Sequence, residues 1–373
     1  MRFSSMKLSS VELRRIRLPL VAPFRTGLGQ TSARDALLVR VVTQDGEGWG
    51  ECTAMAEPTY TSEYVEGAHH VIRHHLVPRL LAHRDLTAEG VAAVLAGVKG
   101  HPMAKCALEM AVLDAELRPK AESLAHRLGA VRDTVEAGVA VGLAASVPEL
   151  LDTVGGYLEA GYRRVKLKVQ PGWDVEPVRA VRERFGDVAL HVDANGAYKP
   201  GDTEQLRRLD AFALVMIEQP FAPDELAAHA DLAGRIVTPV CLDESITSAA
   251  SAAFAIASGA ATIVNVKAAR VGGYLEARRV HDVCERAGVP VWCGGMLETG
   301  LGRAANLALA ALPGFTLPGD LSASDRYYVT DITPPFILRD GHLPVPDGAG
   351  LGVEVIEEVV EACTTSVERV GPD

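Results

Sequence analysis

Five charged residues stand at nearly equal intervals in the middle of the chain. Lys168, Asp193, Glu218, Asp243 and Lys267 are 25, 25, 25 and 24 residues apart (193 − 168, 218 − 193, 243 − 218, 267 − 243). Each sits late in a short apolar run: KLKV, HVDAN, IEQP, CLDES and NVKAA. Three converging carboxylates repel one another and cannot all ionise unless a cation neutralises them. Oxygen donors without His or Cys suit magnesium over zinc, with manganese or another divalent cation as substitute. Lys168 and Lys267 flank the carboxylates in chain order, which suits proton transfer at a carbon beside a substrate carboxylate. The cation would bind that carboxylate and stabilise the enediolate left when the α-proton departs. A lysine must be neutral to act as a base, and a nearby ammonium lowers its pKa. Lys166 shares a strand face with Lys168 and is placed to do this. A solvated edge strand would also explain two lysines, but not the recurrence.

Neighbouring residues take supporting readings. Asn195 and Gln219 sit beside the carboxylates and either orient them or cap loops. His191, on the face of Asp193, reads as a hydrogen-bonded interior histidine more than as a ligand. The GGM run at 294–296 and the GLG run at 300–302 lead into a helical pattern and suit an anion or acyl pocket. Neither fits a dinucleotide or Walker pattern.

Such spacing needs a repeating element. From about residue 135, β-rich runs (VEAGVAVGL, RRVKLKV, VALHVDAN, LVMIEQP, PVCLDES, ATIVNVKAA, PVWCGGM and a weaker FTLPGD) alternate with amphipathic segments such as DVEPVRAVRERFG. This alternation predicts a parallel sheet covered by helices, and eight runs predict a closed α/β barrel. One βα unit of a barrel is about 25–30 residues long, so the charged residues form a ring at the C-terminal mouth, where barrel active sites lie.

Composition excludes other classes. The 373 residues carry a formal net charge of −11, which argues against nucleic acid or an anionic membrane as partner. Six scattered cysteines without a CxxC pair read as reduced thiols of the cytoplasm. The N-terminus lacks the apolar core of a signal peptide. The uncharged stretch 245–266 is rich in Ser and Ala, is broken by Gly259, and reads as helix then strand, not as a membrane span.

At these motifs the chain resembles the enolase superfamily, in its muconate lactonising group with lysines on two barrel strands. KLKV, HVDAN, IEQP, CLDES and NVKAARVGG follow that family's order. The stretch WCGGMLETGLGRAANLALAALPGFTLPGD is similar to its N-acylamino acid racemase and o-succinylbenzoate synthase subgroup. The resemblance implies a modified (β/α)7β barrel at residues 131–321. It also implies an α+β capping domain formed by the N-terminal third (1–130) and the C-terminal tail (322–373), with lid loops at about 20–35 and 51–64. Phe24, Met55 and Tyr60 would touch the substrate side chain, and Gly295, Met296 and Leu297 would border the acyl group. A homo-oligomer, of up to octamer size, is implied. Two departures bear on substrate choice: Lys267-Ala268-Ala269-Arg270 keeps the Arg of a common Lys-Pro-Gly-Arg motif without its Pro-Gly, and Ala140 replaces a serine.

The expected activity is 1,1-proton transfer that racemises N-acylated, particularly N-succinyl, amino acids. The alternative is o-succinylbenzoate synthesis by dehydration, with Lys168 as base and Lys267 as a cation, and one enzyme can carry both. A Schiff-base aldolase would also use a barrel lysine but would not need three carboxylates. A binding protein on this scaffold would be expected to have lost a member of the ring.

Overall fold

The run VELRRIRL alternates apolar and charged residues, the period of a half-buried strand. In the computed structural model, which describes residues 6–26 and 29–371 apart from the side chains of residues 24–26, 29 and 30, it lies in strand β1 (Leu8–Thr26). Val11 and Leu13 face the core. Past Arg14 and Arg15 the phase changes, so that Ile16 and Leu18 are buried next, beside an irregularity where the neighbouring C-terminal strand skips Thr365. β1 forms a hairpin with β2 (Gly29–Thr43), beside β3 (Glu47–Cys52). The first expected lid loop is therefore largely the outer arm of this hairpin. The ladder is interrupted between Pro19 and Phe24, where Pro19 and Pro23 lack amide protons, and resumes at Phe24↔Thr31. The side chain of Phe24 lies outside the described residues.

β3 packs so closely on the helix Pro102–Leu117 that only glycine fits at two positions. A Cβ at Gly50 would lie 2.1 Å from the carbonyl oxygen of Ala107, and one at Gly48 would lie 2.2 Å from the nitrogen of Ala115. Gly50→Ala is expected to destabilise the fold by about 3 kcal/mol, as overpacking of a tight contact does. A lowered midpoint of urea unfolding would show this, and an unchanged midpoint would contradict it.

A short antiparallel pair joins β4 (Thr134–Glu136) to β12 (His342–Pro344). Between them run seven parallel strands: β5 (Gly138–Val141), β6 (Arg164–Lys168), β7 (Ala189–Asp193), β8 (Ile217–Glu218), β9 (Val240–Leu242), β10 (Ile263–Val266) and β11 (Val291–Cys293), in spatial order β11-β10-β9-β8-β7-β6-β5. The eighth run, FTLPGD, closes the ring through single parallel bridges, Phe315 to Val291 and Gly319 to Ala137. Pro318 has no amide proton for a ladder, which explains bridges in place of a strand. The tail returns as β13 (Thr364–Val370), antiparallel to β1, and completes the sheet β13-β1-β2-β3. No described helix is long and apolar enough to cross a membrane.

Candidate active site

Barrel strands are buried on both faces, and here the inner face turns from apolar to charged along each strand. Trp292, Cys241, Met216 and Ile263 pack together inside the barrel, and the indole Nε1 of Trp292 donates to Cys241 Sγ at 3.3 Å. Arg164 and Lys166 lie 5.1 and 4.9 Å over the Trp292 ring. Lys168, Asp193 and Glu218 stand in direct register on β6, β7 and β8. Asp243 and Lys267 follow the ends of β9 and β10.

Each carboxylate is engaged by cations or amides. Lys168 Nζ donates to Asp193 Oδ2 at 2.6 Å and to Asn195 Oδ1 at 2.5 Å. Lys166 Nζ lies among Asp320 (2.5 Å), Glu218 (3.1 Å) and Asp193 (3.2 Å). Burial alone would lower the Lys166 pKa, but Asp320, Glu218 and Asp193 outweigh it and hold an ammonium beside Lys168. Glu218 also accepts from Asn265 Nδ2 at 2.7 Å and lies 3.0 Å from His191 Nε2, an interior contact as the sequence suggested. Lys267 Nζ donates to Asp243 Oδ2 at 2.8 Å, and Arg270 pairs with Asp243 Oδ1. The Ala268-Ala269 departure begins a helical turn, Ala268–Val271, that brings Arg270 back to Asp243.

Gln219 fixes the mouth through its backbone contacts. Its Oε1 accepts from the amides of Asp243 (3.0 Å) and Ser245 (3.3 Å), and its Nε2 donates to Ser245 Oγ at 2.8 Å. Asn195, Gln219 and Leu297 hold φ of 43°, 38° and 59°. Side chains other than glycine seldom adopt this region, and here it occurs at the strand ends that carry the site.

Asp193, Glu218 and Asp243 fit a hard divalent cation in number, charge and donor type. Glu218 is pushed up to about 8 by burial and by Asp193 beside it, so its charged form is disfavoured until a cation neutralises the cluster. Glu244 Oε2, next to Asp243, is buried without a hydrogen-bond partner. The lysine and arginine contacts hold the three carboxylates apart, and they do not offer one oxygen each within 4.8 Å of one another. His281, Asp282 and Glu285 do, but both ring nitrogens of His281 are already engaged, by Asp282 and by the amide of Gly314.

A cavity of about 370 Å3 opens over the ring, lined by Lys166, Lys168, Asn195 and Lys267 below and by Met55, Tyr60, Gly295, Met296 and Leu297 around it. Ala140 also lines it. Tyr60 reaches further than a lid residue was expected to: its hydroxyl accepts from Lys267 Nζ at 3.1 Å and lies 3.2 Å from Asp243 Oδ2. The GLG run does bind an anion, but the anion is the protein's own. Glu51, at the end of β3, accepts from Thr299 Oγ1 at 2.7 Å and from the amides of Thr299 (3.1 Å) and Gly302 (3.1 Å). Burial pushes Glu51 up to about 7. This leaves the 300–302 turn filled, and the 294–296 run faces the cavity.

Asp320 was not singled out in the sequence. It is held well below the usual carboxylate range because Lys166 and Arg164 outweigh its burial. Its position at the end of the eighth run, FTLPGD, was the available signal.

A barrel with this ring at its mouth, joined to an antiparallel sheet built from both ends of the chain, defines an enzyme of the capped α/β barrel class. The chain belongs to the enolase superfamily: residues 10–129 match the mandelate racemase / muconate lactonizing enzyme N-terminal domain, and residues 149–359 match the enolase C-terminal domain-like family. Members of this superfamily generally use a divalent metal. The chain is 65% identical to the N-succinylamino acid racemase of an Amycolatopsis species, over 98% of this chain and all of that protein. It is 44% identical to the o-succinylbenzoate synthase of Geobacillus stearothermophilus, over 95% of each. A crystal structure of an enolase superfamily member from Listeria innocua superposes with a TM-score of 0.94 at 39% identity, covering 98% of this chain and 99% of that one.

Proposed function

We propose that the protein racemises N-acylated, particularly N-succinyl, amino acids by moving the α-proton between Lys168 and Lys267. The observation that carries this reading is the placement of the two lysines at the ends of one five-strand arc, with the carboxylates between them and one cavity above. Lys168 Nζ serves one face of the α-carbon and Lys267 Nζ the other, each taking the proton from one enantiomer and returning it to the opposite one. Asn195 orients Lys168, and Tyr60 with Asp243 orients Lys267. A divalent cation held by Asp193, Glu218 and Asp243, magnesium or manganese in its place, would stabilise the enediolate. The likeness to the Amycolatopsis N-succinylamino acid racemase supports this substrate range. A cytoplasmic homo-oligomer completes the reading.

The second activity, dehydration to o-succinylbenzoate, is favoured by one observation. Burial alone would lower the Lys267 pKa, but Asp243 outweighs it and raises it, the state required of a cation that stabilises an enediolate without taking a proton. Proton NMR in deuterium oxide with magnesium present tests both: deuterium enters the α-position of N-succinyl amino acids, and the synthase precursor is consumed. Absence of α-exchange in every N-acylamino acid tried would refute the racemase reading.

The lid divides into two roles that kinetics can separate. Met55→Ala is expected to raise KM for large side chains about tenfold with kcat changed less than threefold, because a smaller contact removes uniform binding. Tyr60→Phe is expected to lower kcat, because its hydroxyl touches Lys267. Equal effects of both variants on kcat would contradict this division.

A further inference from the structure

Arg34 is almost wholly buried, with 1% of its surface exposed, yet it is only half satisfied. Its Nη1 donates to the carbonyl of Ala54 at 2.9 Å and touches Met55 Sδ at 3.6 Å. Its Nε and Nη2 have no hydrogen-bond partner among the described residues. These two N–H groups form one edge of the guanidinium, the parallel fork that grips the two oxygens of a carboxylate. Leaving such an edge unpaired costs several kcal/mol, so a buried arginine in this state points to a partner that binds there. Glu51 feels the charge of Arg34, but its oxygens are taken by Thr299 and Gly302. Arg34 lines the same cavity as Lys168, Lys267, Met55 and Tyr60.

We propose that the free edge of Arg34 binds the terminal carboxylate of the substrate's acyl chain, making the protein selective for dicarboxylic half-amides such as N-succinyl amino acids over simple N-acyl amino acids. This rests on the N-acylamino acid reading above and names the determinant that the reading leaves open. The same guanidinium holds Ala54 and Met55, so the acyl carboxylate and the second lid segment share one anchor. The selectivity should be large, because a buried site built to pair an oxygen anion rejects an analogue that lacks it.

The test compares N-succinyl-phenylalanine with N-butanoyl-phenylalanine, which has a methyl group in place of the carboxyl. In the wild-type enzyme with magnesium, the succinyl compound is expected to have a kcat/KM at least ~100-fold higher, the scale of a buried charge-assisted contact. In Arg34→Met this ratio should collapse to within about threefold of unity, through a rise in KM for the succinyl compound. Arg34→Lys, which keeps the charge and loses the fork, should fall between. A wild-type ratio near unity would overturn the proposal whether or not the variants fold. So would an Arg34→Met enzyme in which both substrates decline together, since that marks a strut between Glu51 and the lid. Racemisation of the butanoyl compound in either case would leave the racemase reading standing. Failure of both compounds in the wild type would instead count against that reading.

Discussion

Glu218→Gln is expected to lower kcat/KM by about three orders of magnitude, which corresponds to the loss of about 4 kcal/mol of charge stabilisation at the reacting carboxylate. The substitution keeps the size of the side chain and removes its charge. Glu218 is fully enclosed by Lys166, His191 and Asn265, and burial with Asp193 pushes its carboxyl up to about 8. The amide therefore resembles the protonated form that the metal-free protein already favours, and the variant should fold with a nearly unchanged melting temperature. Chelation of the wild-type enzyme should abolish activity, and magnesium or manganese should restore it. A Glu218→Gln enzyme keeping more than a tenth of wild-type activity, or full activity in the chelated protein, would contradict the assignment of the carboxylate trio.

The second large effect concerns the lysines. Lys168→Ala and Lys267→Ala should each abolish racemisation, because one face of the α-carbon then has no base. Neither change strands a buried carboxylate. Asp193 retains Lys166 at 3.2 Å, and Asp243 retains Arg270 and Tyr60. Lys166→Ala differs in kind, because it would uncover Asp320, Glu218 and Asp193 together.

The ring could be read from the sequence because a charged residue at the end of a buried parallel strand is anomalous and recurs with the barrel unit. Asp320 obeys the same rule, but Pro318 and Gly319 weaken its strand and hide the register. Arg34 shares a strand face with Ala36 and Leu38, but Leu37 on the opposite face is also buried, so alternation does not tell an inward arginine from an outward one. Contacts between distant segments carry no local signal. Glu51 reaches Thr299 across 248 residues, and β13, whose side chains are mostly exposed, gives little sign that it pairs with β1. The hairpin form of the first lid has no clear period in the sequence, because Pro19 and Pro23 interrupt the alternation there.

The central claim is that two bases serve opposite faces of one carbon. Its most direct test follows the α-proton of each separate enantiomer of an N-succinyl amino acid by proton NMR in deuterium oxide, with magnesium and with each alanine variant. The structure predicts that Lys168→Ala and Lys267→Ala each exchange the α-proton of a single enantiomer without interconverting the two, and that they choose opposite enantiomers. If both variants exchange the same enantiomer, the lysines do not face each other across the α-carbon, and the two-base account fails.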